Sequence, residues 1–198
     1  AHSEVEVSDK VTNDGIFKIN VLQPTGEADD VTSENNIIGK GDMIISSTNY
    51  KNNGGTISQK TLTIEDIDSS FETKITDFEA YNGIVTEGRL IYTGTGISSS
   101  TIVSNNKTGE LTIGTADTVA DIINKEGNEV SLSTITVNEG SKFKANASNL
   151  ITEIGIVNDG ELTFTGGINN STITRSRSGD EQLLVEGNLQ NNAAIEQG

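Results

Sequence analysis

The chain has 198 residues and a mass of 20.9 kDa, with 13 Lys+Arg against 29 Asp+Glu, a formal net charge of −16 and a pI near 4.3. It has no Cys, no Trp and one His (His2), which excludes a disulfide framework, thiolate metal sites and His-dependent triads. The charge disfavours nucleic acid and anionic membrane surfaces, and no apolar run approaches the ~20 residues that cross a bilayer.

Hydrophobic residues make up only 32% of the chain, a level that with high charge can signal disorder. Their kind argues against it: 24 Ile, 12 Val and 10 Leu fall in short alternating runs, the pattern of half-buried strands. The length suits one domain. The chain shows no signal peptide and does not begin with Met, so it reads as a mature or excised piece.

Residues 1–74 are the less regular part and are expected to form an amino-terminal cap or looser coils. A turn at Asn13-Asp14-Gly15 leads into Ile16-Phe17-Lys18-Ile19. An acidic loop follows from Glu27 to Glu34, then the apolar pairs Ile37-Ile38 and Ile44-Ile45, then Glu65-Asp66-Asp68. Residues 75–198 are more regular. Lys107-Thr108-Gly109 precedes Glu110-Leu111-Thr112-Ile113, Asn138-Glu139-Gly140 precedes Ser141-Lys142-Phe143-Lys144, and Asn158-Asp159-Gly160 precedes Glu161-Leu162-Thr163-Phe164. Glycine and Asn supply the positive φ of a sharp turn. Between the first two of these strands, Asp117 as N-cap, Val119, Ile122 and Ile123 on one face, and Gly127 as stop predict a short helix, with another coil as the alternative.

The turn glycines recur at near-constant spacing. Gly88 to Gly109 spans 21 residues and Gly140 to Gly160 spans 20, whereas Gly109 to Gly140 and Gly160 to Gly187 span 31 and 27. A unit near 20 with insertions is the signature of a repeat architecture. The expected fold is therefore all-β, a right-handed parallel β-helix (solenoid) with loop insertions; a β-sandwich is the alternative. The low aromatic content (4%) suits a narrow interior filled by Ile, Val and Leu. Asn13, Asn138 and Asn158, each just before a turn glycine, are candidates for a stacked hydrogen-bonding ladder. The carboxyl-terminal Asn191 to Gly198 reads as the start of a further coil, so the repeat is expected to be truncated there, with self-association through the open edge.

The stretches Val157 to Ile173 and Leu183 to Ile195, which contain "NDGELTF", "GGINNSTI" and "GNLQNNAAI", resemble the passenger region of bacterial autotransporters and haemagglutinin-type adhesins. The resemblance covers about residues 80–198. It implies a secreted protein on the outer-membrane surface of a Gram-negative bacterium, active in adhesion and virulence. The fragment itself would not insert in the membrane, and its partner would be a host-cell or matrix glycoprotein or glycan.

No catalytic residues are expected. Acids are spread along the chain, and a polysaccharide-processing β-helix enzyme, the alternative in another class, would gather Asp with basic and aromatic residues in a groove. A purely structural spacer is the third reading. Candidate ligand-binding residues are Arg175 and Arg177, the basic cluster of a Ser/Gly loop, with Asp29 and Asp30 in the acidic loop. No cofactor is expected. Calcium is the one ion that the Glu27–Glu34 and Glu65–Asp68 loops would suit, with Asp66 and Asp68 facing one side of an extended segment.

Overall fold

A computed structural model describes residues 10–21, 31–176 and 181–196. It is all-β, and every ladder among the described residues is parallel, which rules out the hairpin-built sandwich. Each coil contributes strands to three faces in turn. The first face begins with Val11–Thr12, Ile37–Ile38, Ile57–Gln59 and Phe78–Ala80. The second carries Ile16–Val21, Asp42–Ser47, Thr61–Ile64, Ile84–Thr86 and Ile102–Val103, then the start of Val130–Val137 and of Leu150–Asn158. The third carries Val31–Ser33, Tyr50–Asn52, Ser70–Lys74, the start of Arg89–Ser98, Glu110–Ile113, the ends of Val130–Val137 and Leu150–Asn158, and Ile173–Thr174.

The period-2 pattern explains the strands. In Asp42–Ser47, Met43, Ile45 and Ser47 point inward while Asp42, Ile44 and Ser46 alternate outward. Register then places like residues over one another. Met43, Leu62, Ile84, Ile102, Val130 and Leu150 stack along the second face, and all are buried. Phe71, Leu90, Leu111, Ile135, Ile156 and Ile173 stack along the third. The buried apolar side chains of these columns thus sit over their register partners in the adjoining coils, and each full burial contributes about 1.5–3 kcal/mol. These columns run unbroken through residue 74, with Leu62 paired to Ile84 and Phe71 to Leu90.

The first face does break. Its ladder ends at Phe78–Ala80, and a separate ladder begins with the second half of Arg89–Ser98, over the residues that precede Phe78, and runs through Ala120–Asn124, Lys142–Ala145, Glu161–Phe164 and Gln182–Val185. At this seam a single 3₁₀ turn, Ile75–Asp77, lies against the incoming strand, and a Cβ at Gly96 would come 2.7 Å from Ile75 Cγ2. The interior here is filled by rings: Tyr50 stacks on Phe71 (centroids 5.4 Å, 18°), Phe71 meets Phe78 edge-on (5.4 Å, 71°), and Phe78 lies 6.4 Å from Tyr92. The aliphatic interior expected from composition is therefore locally aromatic.

Two other expectations are corrected. The segment after Asp117 is a strand, Ala120–Asn124, with Ala120, Ile122 and Asn124 inward. It pairs with Gly94–Ser98 on one side and Lys142–Lys144 on the other, so parallel ladders supply the bonds a helix would have made internally. Gly127 sits at φ +85°, a coil corner rather than a helix stop. Asn158 pairs with Val137, not Asn138, so the predicted Asn13–Asn138–Asn158 ladder does not form. Asn138 donates instead to Gly114 O (2.8 Å) and Asn158 to Gln182 O (3.0 Å). Asn side chains stack elsewhere: Asn169 Nδ2 donates to Asn191 Oδ1 (2.7 Å) and Asn192 Nδ2 to Asn170 Oδ1 (2.9 Å).

Candidate binding surface

The corners between the second and third faces differ in length from coil to coil. Residues 48–49 make one, 65–69 the next, 87–88 the third and 104–109 the fourth, while 130–137 turns the corner without leaving the strand. A short corner between two long ones leaves a depression. A groove of about 310 Å³ lies here, with Asn49, Ser70, Arg89 and Glu110 along it and Ile67, Asp68 and Thr108 at its edge. Ser70, Arg89 and Glu110 are direct register partners on three successive coils.

Both long corners are held by carboxylates. Asp66 Oδ1 accepts from Asp68 N (3.2 Å) and Ser69 Oγ (2.9 Å). This turn overturns the extended arrangement of Asp66 and Asp68 expected from their spacing. Glu87 is buried under the other corner and accepts from Ser104 Oγ (2.7 Å), Asn105 N (2.8 Å), Asn106 N (3.1 Å) and Thr108 Oγ1 (3.0 Å). Burial pushes the Glu87 carboxyl up, but these donors outweigh it and hold the group below the usual carboxylate range. Between the walls Gly88 is obligatory: a Cβ there would lie 2.1 Å from Ser69 O and 2.4 Å from Asp66 O.

Within the groove Arg89 commits Nε to Glu110 Oε2 (3.1 Å). Ser70 Oγ donates to Thr48 O. The Asp68 carboxylate has no protein partner among the described residues, and Ile67 is 68% exposed. A second cavity, about 280 Å³, opens at the seam, with Ile75, Phe78 and Ile97 beside Glu79, Ser99 and Ser100.

Of the residues predicted to bind ligand, Arg175 forms an ion pair with Glu181, and the two side chains are only 22% and 6% exposed. Ser176 is tied down as well, its N donating to Asp159 Oδ1 at 2.7 Å. Arg177, Asp29 and Asp30 lie outside the described residues, as does the first half of the Glu27–Glu34 loop. In the other acidic segment Glu65 is bound by Lys18 Nζ (2.7 Å) and by Ser46 Oγ, and the Lys18 contact leads in lowering its pKa. Among the described residues no three His, Cys, Asp or Glu side chains are grouped to hold a metal ion.

The corner groove was invisible in the sequence reading because it depends on which corners become neighbours, and that follows only from the coil register. The one signal available was the contrast between the tight Glu87-Gly88 turn and the longer polar runs on either side.

No family model, no curated protein and no solved structure matches the chain. The class is thus defined by the fold alone: a parallel β-solenoid with a repeat of about twenty residues and corner loops of uneven length.

Proposed function

We propose that the chain is a non-catalytic display scaffold, a bacterial surface adhesin or autotransporter passenger region whose loops attach to host cells or matrix. The observation that carries this reading is the contrast between faces and corners. The faces are held in register by paired strands and by ion pairs that bridge coils, such as Arg89–Glu110 (3.1 Å) and Lys142–Glu161 (3.0 Å). Four of the described corners on one edge run from two to six residues, and the longest carries the polar, exposed side chains Asn105, Asn106 and Lys107. A stiff rod with variable edges suits presentation, and loops on a rigid scaffold are where binding residues concentrate.

The sequence resemblance adds the setting: secretion and an outer-membrane surface. The partner is a host-cell or matrix glycoprotein or glycan, bound without a cofactor and without chemistry on the ligand. Binding of the fluorescently labelled chain to epithelial cells and to immobilised matrix glycoproteins tests this. The expected result is saturable binding that weakens when the exposed side chains of the corner are changed by Asn105→Ser, Asn106→Ser and Lys107→Asn, which leave the donors to Glu87 in place. Absence of saturable binding by the folded chain assigns it to the spacer class instead.

A further inference from the structure

We infer that the corner groove is a saccharide-binding site for a neutral hexose oligosaccharide, an assignment that rests on the adhesin reading and names its ligand class and location. The groove is bounded by the 65–69 and 104–109 corners, and both are fixed before any ligand arrives. Asp66 and Glu87 hold them through six side-chain acceptor bonds in all, counting two to Asp66 and four to Glu87. Rigid walls remove the ordering cost that weakens binding to mobile loops.

The groups left available match a polyol. Asp68 offers an unpartnered carboxylate that accepts a pair of vicinal hydroxyl donors. Arg89 gives only Nε to Glu110, so its guanidinium retains further N–H donors for hydroxyl or ring oxygens, on the planar fork that suits paired oxygen ligands. Asn49 and Ser70 line the same groove. Ile67 adds an exposed aliphatic surface at its edge, on which the C–H face of a pyranose can rest.

Other ligand classes fit worse. Asp68, Glu110 and the net charge of −16 oppose an anionic group such as sulfate or phosphate. A peptide bound as an added strand needs a free sheet edge, and the strands under the groove are paired on both sides: Arg89–Thr93 lies between Ser70–Lys74 and Glu110–Ile113. The groove lacks the apolar lining of a pocket for a lipid or drug-like molecule.

The test is saturation-transfer NMR on the intact chain with cellotetraose, mannotetraose and lacto-N-neotetraose, and with a sulfated disaccharide as the acidic comparison. The expected result is transfer to the ring protons of at least one neutral probe and none to the sulfated one. Asp68→Asn and Ile67→Ser, at positions with no structural partner and high exposure, should leave the melting temperature unchanged and weaken binding at least about tenfold. No transfer to any neutral probe, preferred transfer to the sulfated one, or equal binding by both variants would overturn the assignment. Cell binding read in parallel separates the two claims. Cell binding retained by both variants removes the groove and leaves the adhesin reading; saccharide binding without cell binding does the reverse.

Discussion

At the scale of single residues, the corners depend on a few groups with no tolerance for change. Gly88→Ala would place a methyl group against two backbone carbonyls that cannot move aside cheaply. The expected result is a clear loss of stability on chemical denaturation, about 1–3 kcal/mol by analogy with overpacked interiors, and with it a misplaced 65–69 corner. Glu87 carries a pH dependence whose sign is fixed. Its folded pKa lies below the unfolded value, so its contribution is complete above the ordinary carboxylate pKa and is lost as pH falls through the folded one. Glu65, lowered chiefly by Lys18, adds in the same sense. Melting temperature should therefore fall between about pH 5 and pH 3, and Glu87→Gln should flatten that slope. A slope unchanged by the substitution would show that the four donors do not hold the carboxylate in its charged form. Tyr92 works at the other end: burial raises its pKa, so its share of stability is present at neutral pH and lost above about pH 10.

At the scale of elements, the strands after residue 80 were readable because alternation and turn glycines agree there. Glu110–Ile113, Lys142–Ala145 and Glu161–Phe164 all fall where those signals put them. The segment after Asp117 misled because Val119, Ile122 and Ile123 satisfy a helical spacing while Ala120, Ile122 and Asn124 satisfy a strand one. Neighbouring coils on both sides decided for the strand. Period alone could not arbitrate so short a run. The aromatic cluster escaped for a different reason: Tyr50, Phe71, Phe78 and Tyr92 are scattered in sequence and meet only through coil register. The same holds for the groove; of the predicted ligand residues, Arg175 is ion-paired with Glu181. Core substitutions test the element scale. Phe143 is buried between Ile122 and Leu162, so Phe143→Ala should cost about 3–5 kcal/mol in denaturant unfolding, whereas the outward neighbour Lys144→Ala should cost well under 1. Comparable losses at the two positions would contradict the inward–outward alternation.

At the scale of the whole molecule, each coil's backbone pairs only with its neighbours, so cooperativity is carried by the face ladders. The second and third faces are continuous across the seam, but the first-face ladder stops at Ala80 and a separate ladder starts at Gly94. Phe78–Ala80 accordingly has a ladder partner on one side only, Ile57–Gln59. Native-state hydrogen exchange should find the 78–80 amides less protected than those of Ala120–Asn124, which are paired on both sides. Equal protection would show that the ring cluster and the 3₁₀ turn compensate fully for the missing ladder. Surface electrostatics follow from the same architecture. Cations such as Lys51 and Lys142 are matched with acids one coil away, so the acidic surplus faces solvent and keeps the rod apart from anionic surfaces.

The central claim is that this solenoid presents its uneven corner edge to a partner on the host surface. The most direct measurement is a binding isotherm of the intact chain on epithelial cells, run beside the triple variant Asn105→Ser, Asn106→Ser and Lys107→Asn, which keeps the donors to Glu87 and whose melting curve matches the parent. The account predicts saturable binding by the parent and a right-shifted isotherm for the variant. A flat isotherm for the folded parent, or superimposable curves for the two, would contradict it.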